Sequence, residues 1–134
     1  MKRSRLTLLI VFMTGFAWSP FVSSSPLTQT KSTSITVKMN TVTNNCGGKA
    51  PDINVSQLTL AEENGRVQLS MEGLPVLAGN KSSKGNLRLT AKTQTSRYSA
   101  NGRHKSGSLR LVLIIEHFNG DKPTCTQSFS ITSN

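Results

Sequence analysis

The chain has 134 residues, with 16 Lys and Arg against six Asp and Glu, a formal net charge of +10 and an aromatic content of 5%. That length supports one domain whose core needs no metal to hold it. Two cysteines are too few for a disulfide-dense scaffold, and so few aromatic rings argue against recognition of nucleic acid or sugar by stacking.

Residues 1–24 read as a secretory signal peptide. Lys2, Arg3 and Arg5 form a basic start, an apolar run reaches Trp18, and Val22 and Ser24 place small residues before a cut after Ser24. The apolar run contains Thr14 and Gly15 and is shorter than the ~20 residues of a membrane span, so no transmembrane segment is expected after cleavage. Loss of Lys2, Arg3 and Arg5 leaves 13 basic residues against six acids, a mature charge of +7. The expected location is exported, periplasmic or extracellular. In that oxidising setting Cys46 and Cys125, the only cysteines, are expected to form a disulfide.

Residues 25–34 are rich in Ser, Thr, Pro and Gln and are expected to be a flexible mature N-terminus, with residues 35–134 as a single all-β domain. Ile35, Val37 and Met39 alternate with Thr36 and Lys38, the pattern of a half-buried strand. Asn44 to Gly48 is a turn that the disulfide would position. Ile53 and Val55 then occupy one parity and Leu58 and Leu60 the other, which implies a bulge near Gln57 or two short strands. Glu62-Glu63-Asn64-Gly65 closes a hairpin, because Asn-Gly supplies positive φ at both central positions, and Val67, Leu69 and Met71 return. Residues 73–85 read as a long connection in which Leu74, Val76 and Leu77 cap the core. Leu87, Leu89 and Ala91 alternate with Arg88, Thr90 and Lys92 as a strand with a basic outer face, and Asn101-Gly102 is expected to end the structure that follows it. Residues 109–118 are apolar on both parities and read as a strand buried on two faces. A turn over 119–123 leads to a partner strand carrying Cys125, Phe129 and Ile131 on one side.

No segment of the mature chain sustains a helical apolar period. Strand-like segments separated by Gly and Asn turns predict an all-β fold, a single small antiparallel β-sandwich or β-barrel of about seven strands.

No catalytic pattern stands out. There is no Gly-x-Ser-x-Gly elbow, two separated histidines do not make a zinc site, and no carboxylate pair is visible. His104 reads as a loop residue and His117 as a surface residue at a strand end. The expectation is a protein that is not an enzyme and carries no cofactor and no metal. What rises above background is charge placement: Lys81, Lys84, Arg88, Lys92, Arg97, Arg103, Lys105 and Arg110 fall in a segment between Glu72 and Glu116 that contains no acid. A basic side of this kind suits an anionic glycan, a lipid headgroup or an acidic protein.

Ser96-Arg97-Tyr98-Ser99-Ala100-Asn101-Gly102, followed by Lys105-Ser106-Gly107, resembles a loop of the periplasmic inhibitors of C-type lysozymes. The resemblance covers a small part of the chain and implies that Ser96 and Lys105 enter the lysozyme cleft. The tryptophans of that family's following strand are missing here, and a +7 protein would be repelled by a basic lysozyme. A further alternative is a structural subunit of a surface assembly, with residues 35–39 adding as a strand to a neighbour's sheet.

Overall fold

The computed structural model describes residues 30–50 and 52–134; the expected signal peptide and residues 25–29 lie outside the described residues. Eight antiparallel strands form an up-and-down closed barrel in which each strand pairs with the next and β8 returns to β1. They are β1 (Lys31–Asn44), β2 (Gln57–Glu63), β3 (Arg66–Met71), β4 (Leu77–Lys81), β5 (Asn86–Lys92), β6 (Ser96–Lys105), β7 (Ser108–Asn119) and β8 (Lys122–Ser133). Of the two architectures the alternation allowed, the closed one is present.

The period-2 pattern fills the barrel. Leu58 and Leu60, Leu87 and Leu89, and Leu111 and Leu113 all turn inward and are at most 3% exposed, while their polar neighbours face out. An eight-strand barrel is just wide enough for side chains to pack its interior, and unbranched-at-Cβ leucines fill it here with Phe129, the one buried aromatic ring of a Phe, Tyr or Trp among the described residues. Burial of a leucine side chain is worth about 2 kcal/mol, so these inward rows supply the main driving force for folding.

β1 closes the ring by dividing its partners. Residues 31–36 pair with β2, and Val37 onward pairs with β8, with a bulge between Thr41 and Thr43 that turns Val42 out to 60% exposure. The Cys46–Cys125 disulfide, with a Cα–Cα distance of 5.0 Å, ties the chain just beyond β1 to β8. Asn45 reinforces it: its N–H donates to the Thr126 carbonyl at 3.2 Å, and the Thr126 N–H donates to Asn45 Oδ1 at 2.7 Å.

Several local expectations change. The strand begins at Lys31, four residues before Ile35, because residues 31–34 pair with residues 59–62 of β2; the flexible N-terminus expected over 25–34 therefore does not extend through Lys31 to Ser34. The parity change near Gln57 marks the start of β2, with Val55 buried from the preceding loop. The Asn64-Gly65 turn forms as read, with φ of 53° and 81°. The eighth strand is β4, whose single fully buried apolar residue, Leu77, made it look like part of a connection; Val76 is exposed. Asn101-Gly102 does not end a strand but sits inside β6, and the turn falls instead at Ser106-Gly107, again with two positive φ values, 54° and 79°. Residues 109–118 are not buried on both faces, since Val112 points outward and is 46% exposed.

Gly102 explains how β6 continues. It lies on the inward parity between Leu87 and Leu111, and a Cβ there would collide with the carbonyl oxygen of Arg110. Glycine permits the close approach of the Arg110 backbone at this point.

Two measurements check this account. Replacing both cysteines by serine should lower stability by roughly 4.5 kcal/mol on the chain-entropy scale for a closed loop of this length, read as a shifted urea midpoint. Gly102→Ala should cost at least about 2 kcal/mol, because the overlap is with backbone and no rotamer relieves it.

Candidate functional site

The antiparallel order sorts the turns between two ends of the barrel. The β2–β3, β4–β5 and β6–β7 turns meet at one end, called here the Lys81 end; the β3–β4, β5–β6 and β7–β8 turns meet at the other, the disulfide end.

Inside the Lys81 end, parity turns Glu62, Lys81 and His104 toward one another. Lys81 Nζ donates to Glu62 Oε1 at 3.1 Å and lies 3.4 Å from His104 Nδ1, while Glu62 Oε2 is 3.9 Å from that nitrogen. An ammonium has no acceptor, so Nδ1 must accept and the His104 proton sits on Nε2. Burial, and the Lys81 and Lys31 charges, hold the His104 pKa below its ordinary 6.5 against the opposing pull of Glu62. His104 is thus a buried strand residue, not the loop residue its basic neighbourhood suggested.

Inside the disulfide end, Ser96, His117 and Gln127 form a chain. Ser96 Oγ is 2.9 Å from His117 Nδ1, and His117 Nε2 is 2.9 Å from Gln127 Oε1. With Oε1 as acceptor, Nε2 donates and Nδ1 accepts the Ser96 hydroxyl proton. His117 accordingly faces the interior, contrary to the surface position expected for it, while Glu116 beside it faces out. Ser96 is 6% exposed and Gln127 1% exposed; the chain satisfies polar groups closed off from solvent.

The eight basic residues read from the sequence separate in three ways. Lys81 is committed to the interior ion pair. Lys92 and Arg97 face each other near the disulfide end, where Arg97 reaches Glu116 at 3.6 Å and stacks over Phe118 at 4.9 Å. Arg88, Arg103, Lys105 and Arg110 project outward toward the Lys81 end, and Lys84 joins them from the β4–β5 loop, its carbonyl accepting from Arg103 Nε at 3.1 Å.

The register brings the third group together. Arg103 on β6 lies directly opposite Arg110 on β7, Arg110 lies opposite Thr132, and Thr132 lies opposite Lys38 on β1. Arg88 is diagonal to Arg103 across β5 and β6. Among the described residues no carboxylate lies within ion-pair distance of Arg88, Arg103, Lys105 or Arg110. Glu116 is the one acid on the strands from β5 round to β1, and it sits at the opposite end. Lys38 was not read as part of this group because it lies far away in sequence; its signal was the alternation that placed it outward on a strand whose partner was then unknown.

Ser96 and Lys105, the two positions of the lysozyme-inhibitor resemblance, begin and end β6. At about 3.3 Å per residue they are roughly 30 Å apart, one buried at the disulfide end and the other exposed at the Lys81 end. Ile35 and Val37, considered above for strand addition to a neighbour, are buried in this chain's own barrel. The chain matches no known protein family, no curated protein and no solved structure at a significant level.

The interior cluster makes stability depend on pH. The unfolded chain protonates His104 near 6.5, whereas the fold keeps it neutral to lower pH, so the unfolded state binds more protons in between and stability falls as pH drops below about 6.5. Urea midpoints at about pH 7.5 and about pH 5.5 should differ less for His104→Gln than for the parent chain.

Proposed function

We propose that this is an exported, non-catalytic binding protein that contacts an anionic partner through the outer face of β5, β6 and β7 near the Lys81 end. The observation that carries the reading is the Arg103–Arg110 pair. Like charges directly opposite on neighbouring strands destabilise a sheet, and here no carboxylate among the described residues compensates them. A bound anion would. Two guanidinium groups side by side offer forked donors to sulfate, phosphate or carboxylate oxygens, and Arg88, Lys105 and Lys38 extend the positive field around them. The signal-like leader and the single disulfide support export.

Retention on heparin and on anionic vesicles should be strong at low salt and weaken as salt rises. Replacing Arg88, Arg103, Lys105 and Arg110 by Ser should move elution to clearly lower salt, while replacing Lys92 and Arg97 should change it little. Equal retention of the two variants would overturn the assignment.

A further inference from the structure

The surface between the cations is a groove, and its lining is informative. Three shallow depressions adjoin: one bounded by Asn80, Arg88 and Asn101 and a central one of about 470 Å³ floored by Gly102 run across the strands from β4 to β8, and a third opens beside them between Arg103, Lys105 and Arg110, toward the β6–β7 turn. The first two share Asn86, Asn101 and Gly102, and the last two share Arg103 and Arg110. Gly102 contributes only backbone to the lining, because its position faces the interior between Leu87 and Leu111.

Its two walls are rows of cross-strand neighbours. One row runs Asn86, Arg103, Arg110, Thr132 and on to Lys38; the other runs Asn80, Arg88, Asn101, Val112, Ser130 and on to Asn40. Charge is concentrated in the first row, and amide and hydroxyl groups make up most of the second. From β4 to β8 the groove crosses four inter-strand gaps, about 19 Å.

We infer that the partner is a linear acidic polysaccharide, sulfated or uronic, lying across the strands with its anionic groups on Arg103, Arg110 and Arg88 and its hydroxyls on Asn101, Ser130 and Thr132. The inference rests on the anionic-partner reading above and narrows it. Cations spread along a groove fit a repeating anion better than a single headgroup, which would want them converging on one point. An acidic peptide would add at a strand edge to use its backbone, whereas this groove crosses the faces of strands whose backbone groups are already paired in the barrel. Neither row offers an aromatic ring on which a nucleobase could stack, and Val112 is the one large apolar side chain in the two rows, too little to anchor in a bilayer.

The test compares heparin octasaccharide, heparin disaccharide, polyaspartate and phosphatidylcholine–phosphatidylglycerol vesicles as probes of the purified protein at one salt concentration. The octasaccharide should bind at least about tenfold tighter than the disaccharide, because it spans the groove. Asn101→Ala and Ser130→Ala, both on the outer surface, should each weaken the octasaccharide about threefold or more through lost hydrogen bonds, with vesicle binding unchanged. No length dependence, or equal losses for vesicles and octasaccharide, would overturn the polysaccharide assignment. Vesicle or polyaspartate binding that exceeds octasaccharide binding would sink this inference alone, whereas absence of salt-sensitive binding to every probe would sink the anionic-partner reading with it.

Discussion

Closure of the sheet through β1 is the constraint on which the other features depend. A meander of eight strands has two edges, and only a strand able to pair with both β2 and β8 removes them. β1 does so by giving its first half to β2 and its second half to β8. The ring then sets the diameter, the diameter sets how much side chain the interior accepts, and the inward leucine rows meet that requirement. The disulfide and the Asn45–Thr126 pair fasten the seam where the second half of β1 ends.

Closure also decides which charges meet. In an open sheet Lys38 and Arg110 would lie at distant positions; in the ring they flank Thr132. The basic segment of the sequence is divided in turn, because antiparallel strands carry Lys92 and Arg97 to one end and Arg103, Lys105 and Arg110 to the other. A run of cations along the chain has become one exposed cluster, one paired site at the far end and one interior ion pair.

Fold class, disulfide and most strands were legible because they rest on short-range rules: parity, Asn-Gly at a turn, and a lone pair of cysteines. β4 was not, since Leu77 is its one fully buried side chain and Gly79 lies in its middle. β6 was cut short for a related reason: Asn101-Gly102 carries turn chemistry, and only the neighbouring Arg110 backbone shows that glycine serves close packing there. The inward turn of His104 and His117 was hidden for a third reason. Parity places a residue on a face only once strand limits and the inward side are known: His104 lies beyond the apolar residues that set the limits of its strand, and His117 lies in a strand whose two faces both looked apolar, so neither was marked as inward. The basic face was half legible: its residues could be named, but which of them face one another depends on register, which is a property of pairs of strands.

The divided pairing of β1 also has a mechanical side. Its first residues are held by β2 and the last residues of β8 end at the same Lys81 end, so a force separating them would strip Lys31 to Thr36 from β2 first and then open the β1–β8 ladder one pair at a time, from Val37 and Ser133 inward. Peeling of this kind meets little resistance until it reaches the bulge at Val42 and then the covalent bridge beyond Asn44. The seam is therefore weak against tension at one end and arrested at the other, and the leucine interior would be exposed progressively from the end that carries the ion pair.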